Sequence, residues 1–161
     1  MHESKFEFTY KVYNSTDELP EEQQWLLNKA KEATALAYAP YSNFKVGAVA
    51  KLANGEVVAG SNQENASFPA GMCAERVLLA SISSFFPKVP VETIAISYQS
   101  DDQKSDHPIS PCGICRQTLQ EFESRVNHPI QLILGGQTGE VYVIDSASRL
   151  LPLAFTSEEL R

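Results

Sequence analysis

The N-terminal segment of the chain alternates between apolar and polar side chains. Phe6, Phe8, Tyr10 and Val12 would share one face of an extended chain, with charged or hydroxyl side chains on the other face. A period of two residues is typical of a β-strand with one buried face. The pattern therefore predicts a half-buried strand from Lys5 to Tyr13.

The period changes to that of a helix after Pro20, which follows a run of cap-forming residues from Ser15 to Asp17. The apolar positions at helical spacing are Trp25, Leu26, Ala30, Ala33, Leu36 and Ala37. We predict one amphipathic helix that continues to Pro40. Its core-facing residues are predicted to be Trp25, Leu26, Ala30 and Ala33.

Two apolar, β-prone runs follow, from Val46 to Ala53 and from Val57 to Gly60. Asn54-Gly55 separates them, and this dipeptide is the strongest short-range signal for a two-residue hairpin turn. The sequence therefore predicts a pair of antiparallel strands.

The second half of the chain continues with alternating helices and strands. A helical pattern runs from Cys73 to about Ser84, a buried strand from Val91 to Tyr98, and a second short helix begins at Ser110-Pro111. Two further strands are predicted at Ile130–Leu134 and Val141–Ile144. Because so few residues separate them, the last pair should be an antiparallel hairpin rather than a parallel crossover.

The order of predicted elements is β, α, β, β, α, β, α, β, β, which is typical of a layered α/β fold. The length of 161 residues suits a single domain, 1–161, in which residues 1–15 form an N-terminal extension.

Charge and hydropathy narrow the classes of function. The formal net charge is −7, and the chain contains no basic run that would attract a phosphate backbone. No apolar stretch is long enough for a membrane span, and the N-terminus lacks the pattern of a signal peptide. We therefore expect a cytoplasmic protein that binds a small ligand and neither nucleic acid nor membrane.

All three cysteines fall in two short motifs where a loop enters a predicted helix. Cys73 precedes Glu75 by two residues, and Cys112 and Cys115 are spaced to share one helical face. A catalytic zinc ion takes three protein ligands and keeps its fourth position for water. The motifs therefore predict such a site, with Glu75 as general acid and base. Arg76 is expected to withdraw charge from the thiolates.

Two alternatives remain at this point. A Cys-x-x-Cys pair alone is more often a structural zinc site or a redox pair. A structural site needs a fourth protein ligand, and the chain has three histidines that could supply it: His2, His107 and His128. His107, five residues before Cys112, keeps a Cys3His site open.

The motifs resemble those of the zinc-dependent cytidine deaminases, in particular the small homotetrameric class with three cysteine ligands. The resemblance rests on Cys-Ala-Glu-Arg at 73–76 and Pro-Cys-Gly-Ile-Cys-Arg-Gln at 111–117. It extends through Ala39–Ala48 and Asn62–Ala66. It implies a three-layer fold whose mixed five-stranded sheet has helices on both faces and ends in two antiparallel strands, here with an extra N-terminal strand.

The resemblance also implies roles for individual residues. Those matching Cys73, Cys112 and Cys115 bind one Zn²⁺ per subunit, and the one matching Glu75 shuttles protons. Those in contact with substrate would be Asn62 and Glu64 at the ribose, Phe44 against the base, the backbone of Ala74 at its polar edge, and Phe155 from a neighbouring subunit. Phe68 departs from the pattern, because many relatives have Tyr there.

Without the resemblance, several of these residues have simpler interpretations. Asn62 and Glu64 are typical of strand ends and turns, and Phe44 and Phe155 of core or interface packing. Arg116 and Gln117 are predicted only to hold in place the helix that carries Cys112 and Cys115.

Three functions follow as hypotheses. The first is hydrolytic deamination of cytidine and deoxycytidine by a zinc-activated hydroxide, with release of ammonia, in pyrimidine salvage. The second is the same chemistry on another small aminopyrimidine, such as blasticidin S. The third is a polynucleotide-editing deaminase or a noncatalytic zinc module, which the net charge and the terminal hairpin oppose.

Overall fold

A six-stranded mixed sheet forms the centre of the molecule in the computed structural model, which describes residues 1–160. The strands are β1 (Lys11–Tyr13), β2 (Phe44–Leu52), β3 (Val57–Ser61), β4 (Val91–Ser100), β5 (Gln131–Gly135) and β6 (Val141–Ile144). The helices are α1 (Glu21–Ala33), α2 (Ala74–Phe85) and α3 (Gly113–Val126), joined by short 3₁₀ turns that include Ala147–Leu150.

The strands lie in the order β1-β6-β5-β4-β2-β3. β4 and β5 are parallel, and α3 makes the crossover between them. The other neighbouring pairs are antiparallel. Both predicted hairpins are confirmed, and Gly55 in the first turn has a φ of 87°, a conformation that glycine adopts without strain.

Helices cover both faces of the sheet, as predicted. On one face, α2 and α3 pack against residues such as Ala50, Ile96 and Leu132. On the other face, α1 packs against residues such as Val49 and Ile133. The alternation of side chains along each strand separates the two cores, because successive residues point to opposite faces.

Two glycines allow the helices to approach the sheet closely. A Cβ atom on Gly47 in β2 would lie 2.2 Å from the backbone oxygen of Ala30 in α1. A Cβ atom on Gly60 in β3 would lie 2.6 Å from the backbone nitrogen of Leu78 in α2. These two positions set how near α1 and α2 lie to the strands that border the site.

The predicted first helix is too long, because α1 ends at Ala33 and a 3₁₀ turn follows. Tertiary pairing ends the helix: the Tyr38 amide donates to the Asn62 carbonyl at 3.0 Å, and the Glu64 amide donates to the Tyr38 carbonyl at 2.8 Å. The prediction that Trp25 is a core residue is also wrong, since it is 46% exposed. Leu26, Ala30 and Ala33 are buried as predicted.

The N-terminal strand exists but is shorter than predicted. Only Lys11–Tyr13 pairs, and its partner is the four-residue strand β6. Residues before Lys11 form no ladder with β6, although the Tyr10 ring lies 5.1 Å from that of Tyr142. The face predicted to be half-buried is therefore largely exposed at Phe6, Tyr10 and Val12, whereas Phe8 packs against the core.

Within residues 1–160, no helix is both long enough and apolar enough to cross a bilayer.

Candidate active site

Three thiols from two helices converge at one point. Cys73 immediately precedes α2, Cys112 immediately precedes α3, and Cys115 lies in the first turn of α3. The Sγ atom of Cys112 lies 3.7 Å from that of Cys73 and 3.5 Å from that of Cys115. Tetrahedral zinc with Zn–S bonds of about 2.3 Å requires sulfurs about 3.8 Å apart. The three donors therefore suit a zinc ion.

The surroundings of the thiols favour a thiolate at Cys73. Hydrogen bonding from the Cys115 thiol is the largest cause that lowers the pKa of Cys73 to about 6, and Cys112 and the charge of Arg76 act in the same direction. The positive end of a helix at the same place also stabilises a thiolate. Zinc binds the deprotonated form of cysteine, so this environment prepares a ligand.

Glu75 lies one residue inside α2, beside the thiols, and is only 5% exposed. Desolvation by burial is the largest cause that raises its carboxyl pKa, and the charge of Cys73 acts in the same direction. A raised pKa makes the carboxyl group hold a proton more readily than an ordinary glutamate does, which suits a group that must accept a proton and return it in general acid and base catalysis.

A fourth protein ligand is absent from the metal cluster within the described chain, which brings together Cys73, Cys112 and Cys115 and no histidine. His107 instead contacts the Tyr98 hydroxyl, with its Nδ1 atom 3.2 Å away. The Cys3His alternative therefore finds no support, and the site has the three-donor arrangement of a catalytic zinc.

A cavity of about 750 Å³ opens beside the thiols, within the size range of small-molecule sites. Glu75, Cys73 and Cys112 form part of its wall, together with Ala74 at the start of α2. Ile109 and Ser110, in the loop before Cys112, also line it. The cavity thus connects the metal-binding group to a space for an organic substrate.

Asn62 and Glu64 both line this cavity, and both already bind backbone groups. The Asn62 side chain accepts a hydrogen bond from the Val46 amide at 2.7 Å and donates one to the Phe44 carbonyl at 2.8 Å. The Glu64 carboxylate accepts from the Tyr41 amide at 2.9 Å and from the Ser42 hydroxyl. Amide and carboxylate groups have further bonding capacity, so both can still contact a ligand.

Two aromatic residues of the prediction also line the cavity. Phe44 lies at its wall, where β2 begins. Phe68 also lines it and is largely exposed, with its ring centroid 6.0 Å from that of Tyr41 in an edge-to-face arrangement. The cavity therefore has an aromatic wall, hydrogen-bonding groups and a buried acid near the metal donors.

Comparison with known proteins identifies the family. The sequence pattern described as “Cytidine and deoxycytidylate deaminase zinc-binding region” matches residues 20–128. A curated cytidine deaminase of Halalkalibacterium halodurans is 36% identical over 139 residues, which cover 86% of this chain and 98% of that protein.

The chain belongs to the cytidine and deoxycytidylate deaminase family. Solved structures agree with this assignment. The cytidine deaminase from Burkholderia pseudomallei has a TM-score of 0.72 and 38% identity, covering 85% of this chain and all of that one. The cytidine deaminase from Mycobacterium tuberculosis has a TM-score of 0.64 and 29% identity, covering 84% and 98%.

Family membership and the geometry of the thiols assign zinc as the metal of this deaminase. Its extra strand β1 is present as predicted, at one side of the family fold. The resemblance recognised in the two cysteine motifs is thereby confirmed.

Two of the predicted site residues of this deaminase, Arg76 and Phe155, do not line the cavity. Arg76 is half-buried next to the thiols and acts on Cys73 through its charge; within residues 1–160 it has no hydrogen bond to a sulfur. Phe155 is 58% exposed and lies outside the cavity of its own chain. Its backbone carbonyl accepts a hydrogen bond from the Gln117 side chain at 2.9 Å.

Sequence reasoning missed one supporting residue of the deaminase site, Ser42, and the contacts made by another, Arg116. Ser42 supports Glu64, yet it carries no chemical signal apart from its place in the Ala39–Ala48 motif. Arg116 was predicted to hold the helix that carries Cys115, but its partners were not: its side chain donates to the Pro111 carbonyl at 2.9 Å and to the Leu150 carbonyl at 3.0 Å, which connects the loop before Cys112 to the 3₁₀ turn after β6. These contacts depend on tertiary structure and have no local pattern.

Proposed function

We propose that this chain catalyses the hydrolytic deamination of cytidine and deoxycytidine to uridine and deoxyuridine, with release of ammonia, in pyrimidine salvage. The observation that carries the proposal is the buried Glu75 beside three thiols at the wall of a cavity with an aromatic side and polar groups. The named relatives are cytidine deaminases, which supports this substrate and does not favour blasticidin S.

Each residue has a proposed task in the reaction. Cys73, Cys112 and Cys115 hold zinc, which when bound supplies an acidified water as the nucleophile. Glu75 takes one proton from that water and passes it to the ring nitrogen next to carbon 4, to which the remaining hydroxide adds. It then takes the second proton from the hydroxyl now on carbon 4 and gives it to the departing amine. The carbon–nitrogen bond to the amine breaks, so that one water is consumed for each ammonia released.

The remaining residues are proposed to orient the nucleoside. Phe44 lies against the pyrimidine, the Ala74 backbone meets its polar edge, and Asn62 and Glu64 bind ribose hydroxyls. Arg76 withdraws charge from the thiolates, because three thiolates alone leave zinc a weak Lewis acid.

A free nucleoside is favoured over a nucleotide by the charge of the cavity. The described lining contains Glu64 and Glu75 but no Lys, Arg or His. A phosphate group on the ribose would therefore meet the carboxylate of Glu64 and no cationic side chain of this lining. This argues against a deoxycytidylate substrate, which the family also includes.

A polynucleotide substrate is opposed by two observations. The net charge of −7 repels a phosphate backbone. The antiparallel hairpin of β5 and β6 also differs from the helical crossover that the resemblance leads us to expect in polynucleotide deaminases.

We further propose a homotetramer in which the C-terminal segment of one subunit completes the cavity of another. The exposure of Phe155 and its position outside its own cavity support this arrangement. Phe68, which lines the cavity and is largely exposed, would then lie near the same interface. Reduced, closely spaced thiols favour a cytoplasmic location.

Ammonia release from a substrate panel tests the proposed reaction. The panel contains cytidine, deoxycytidine, cytosine, deoxycytidine monophosphate, blasticidin S and single-stranded DNA. We expect turnover of the two nucleosides, and a loss of about 10²–10⁴-fold in kcat for Glu75→Gln with zinc content unchanged, because general acid and base catalysis is removed.

A matched control is Glu121→Gln on the exposed side of α3, which should leave turnover and zinc content unchanged. Turnover of DNA alone, or full activity of Glu75→Gln, would contradict the proposed function.

A further inference from the structure

Behind the aromatic wall of the cavity lies a second ring, that of Tyr98. Phe44 stacks on it with ring centroids 5.0 Å apart and an interplanar angle of 21°. In the register of β2 and β4, Phe44 is opposite Ser100, so Tyr98 occupies the diagonal position on the same face. The side of Phe44 away from the cavity is therefore covered by one residue with a defined ring plane.

Tyr98 is itself fixed. It is 1% exposed, and its backbone carbonyl accepts a hydrogen bond from the Gln137 side chain at 2.9 Å. Burial, followed by the charge of Asp106, raises the pKa of its hydroxyl, which therefore stays protonated at neutral pH. The hydroxyl contacts the Lys104 carbonyl at 3.4 Å and the His107 ring at 3.2 Å.

Both of these partners belong to one loop, residues 101–110, which connects β4 to the metal-binding segment. The β5–β6 turn holds this loop: the Ser105 carbonyl accepts a hydrogen bond from the Gln137 amide at 2.7 Å. A Cβ atom on Gly139 would lie 1.9 Å from the Asp106 carbonyl oxygen, so the loop and the turn are in close contact. The loop ends at Ile109 and Ser110 in the cavity wall, directly before Pro111-Cys112.

We propose that Tyr98 is a positioning residue for substrate binding, which sets the plane of the Phe44 ring and links it through the Tyr98 hydroxyl to the 101–110 loop. The proposal rests on the proposed function, in which Phe44 contacts the pyrimidine. It adds that this contact is set by a residue outside the cavity, and that His107 takes part as an anchor of Tyr98 and not as a metal ligand.

The physical argument concerns the freedom of Phe44. An aromatic pair contributes about 0.5–1.5 kcal/mol beyond its buried area. Without Tyr98, the Phe44 ring would be free to leave the plane that suits a stacked base. Part of the free energy of substrate binding would then be spent on fixing the Phe44 ring in that plane. The cost appears in KM rather than in kcat, because Phe44 contacts neither the metal donors nor the departing amine in the proposed reaction.

Kinetics of four variants test this. Tyr98→Leu should raise the KM for cytidine about two- to tenfold, with kcat changed less than about twofold and zinc content unchanged. Tyr98→Phe keeps the ring but loses the hydroxyl link to the loop, so it should recover only part of the loss and keep a measurable rise in KM. His107→Ala should raise KM no more than Tyr98→Phe does, because it removes only one of the two hydroxyl contacts that Tyr98→Phe removes. Tyr142→Phe, whose hydroxyl contacts Glu140 on the surface, is the control and should behave as wild type.

A double-mutant cycle with Phe44→Ala shows whether Tyr98 acts through Phe44. The effect of Tyr98→Phe on KM should disappear in the Phe44→Ala background. Aromatic NMR of the free enzyme gives a readout independent of activity: the Phe44 ring resonances should move in Tyr98→Leu and stay in place in Tyr142→Phe. If Tyr98→Leu does not fold, Tyr98→Phe and His107→Ala complete the cycle.

An unchanged KM in Tyr98→Phe and His107→Ala, together with unchanged Phe44 resonances, would overturn the positioning role. Additive effects of Tyr98→Phe and Phe44→Ala would overturn it as well. Failure of the proposed function gives a different result: zinc-loaded wild type would release no ammonia from cytidine. The Phe44 resonances would still show whether Tyr98 fixes the Phe44 ring, because that measurement needs no activity.

Discussion

At the scale of single residues, polar side chains near the cavity serve the backbone as well as a ligand. Asn62 bonds two backbone groups of β2 on either side of Lys45 and so fixes the segment that carries Phe44. Glu64 does the same for the turn at Tyr41 and Ser42. A substitution at Asn62 or Glu64 would therefore disturb the cavity wall in addition to any contact with ribose.

Ser42→Ala tests the support of Glu64. The Ser42 hydroxyl is the largest cause that lowers the carboxyl pKa of Glu64, so its removal should raise that pKa toward the ordinary value of 4.5. Because a lowered carboxyl pKa favours the folded state above the unfolded pKa, this contribution is lost as pH falls through the folded pKa. Carbon-13 NMR titration of the Glu64 carboxyl measures the change.

Ser84→Ala is the matched control, since the Ser84 hydroxyl bonds only the Ala80 carbonyl on an exposed face of α2. It should leave the Glu64 titration unchanged. An equal Glu64 pKa in wild type and Ser42→Ala would rule out the hydroxyl as the cause.

At the scale of secondary-structure elements, Glu123 joins the end of α3 to two other parts of the fold. Its buried carboxylate accepts hydrogen bonds from the Ile130 amide at 2.7 Å and the Ala147 amide at 2.8 Å. It also accepts from Ser146 and from the Ser148 amide. The α3 helix that begins with metal donors is thereby fixed at its other end to β5 and to the 3₁₀ turn after β6.

Glu123→Ala should lower the free energy of unfolding by about 2–4 kcal/mol, because it leaves buried backbone donors without a partner. Chemical denaturation of the zinc-loaded enzyme measures this. Glu121→Ala, which removes only the surface pair with Arg125 at 3.5 Å, should cost less than about 1 kcal/mol. Similar losses in the two variants would contradict the anchoring role of Glu123.

Patterns of local origin were predictable from the sequence, and contacts of tertiary origin were not. The Asn54-Gly55 turn, the short link between β5 and β6 and the spacing of the cysteines are local, and each was found where expected. The end of α1 depends on pairing between Tyr38 and Gln63, distant in sequence. The exposure of Trp25 and the Tyr98–Phe44 stack likewise depend on neighbours from other elements.

At the scale of the whole molecule, the C-terminal segment around Phe155 is the part that we propose contacts a neighbouring subunit of the tetramer. The Gln117 side chain, on α3, donates a hydrogen bond to the Phe155 carbonyl and so fixes the backbone of this segment, while the Phe155 ring is exposed. The ring is thus presented to the outside by the same helix that supplies Cys115.

Phe155→Ala should weaken the proposed tetramer and raise the KM for cytidine by about tenfold, since an aromatic contact in the neighbouring cavity is lost. Light scattering at several protein concentrations gives the mass, and initial rates give KM. Leu160→Ala, an exposed apolar residue of the same segment, is the control and should change neither. A Phe155→Ala variant with wild-type mass and KM would contradict completion of the cavity by a neighbour.

The pairing of β1 with β6 has a further consequence for solubility. A bare strand at the border of a sheet is a template on which other chains can aggregate. β1 occupies that border with only three residues, Lys11–Tyr13, and offers outward a ladder too short to recruit another strand readily. We therefore expect the N-terminal extension to lower the tendency of this side of the deaminase fold to aggregate.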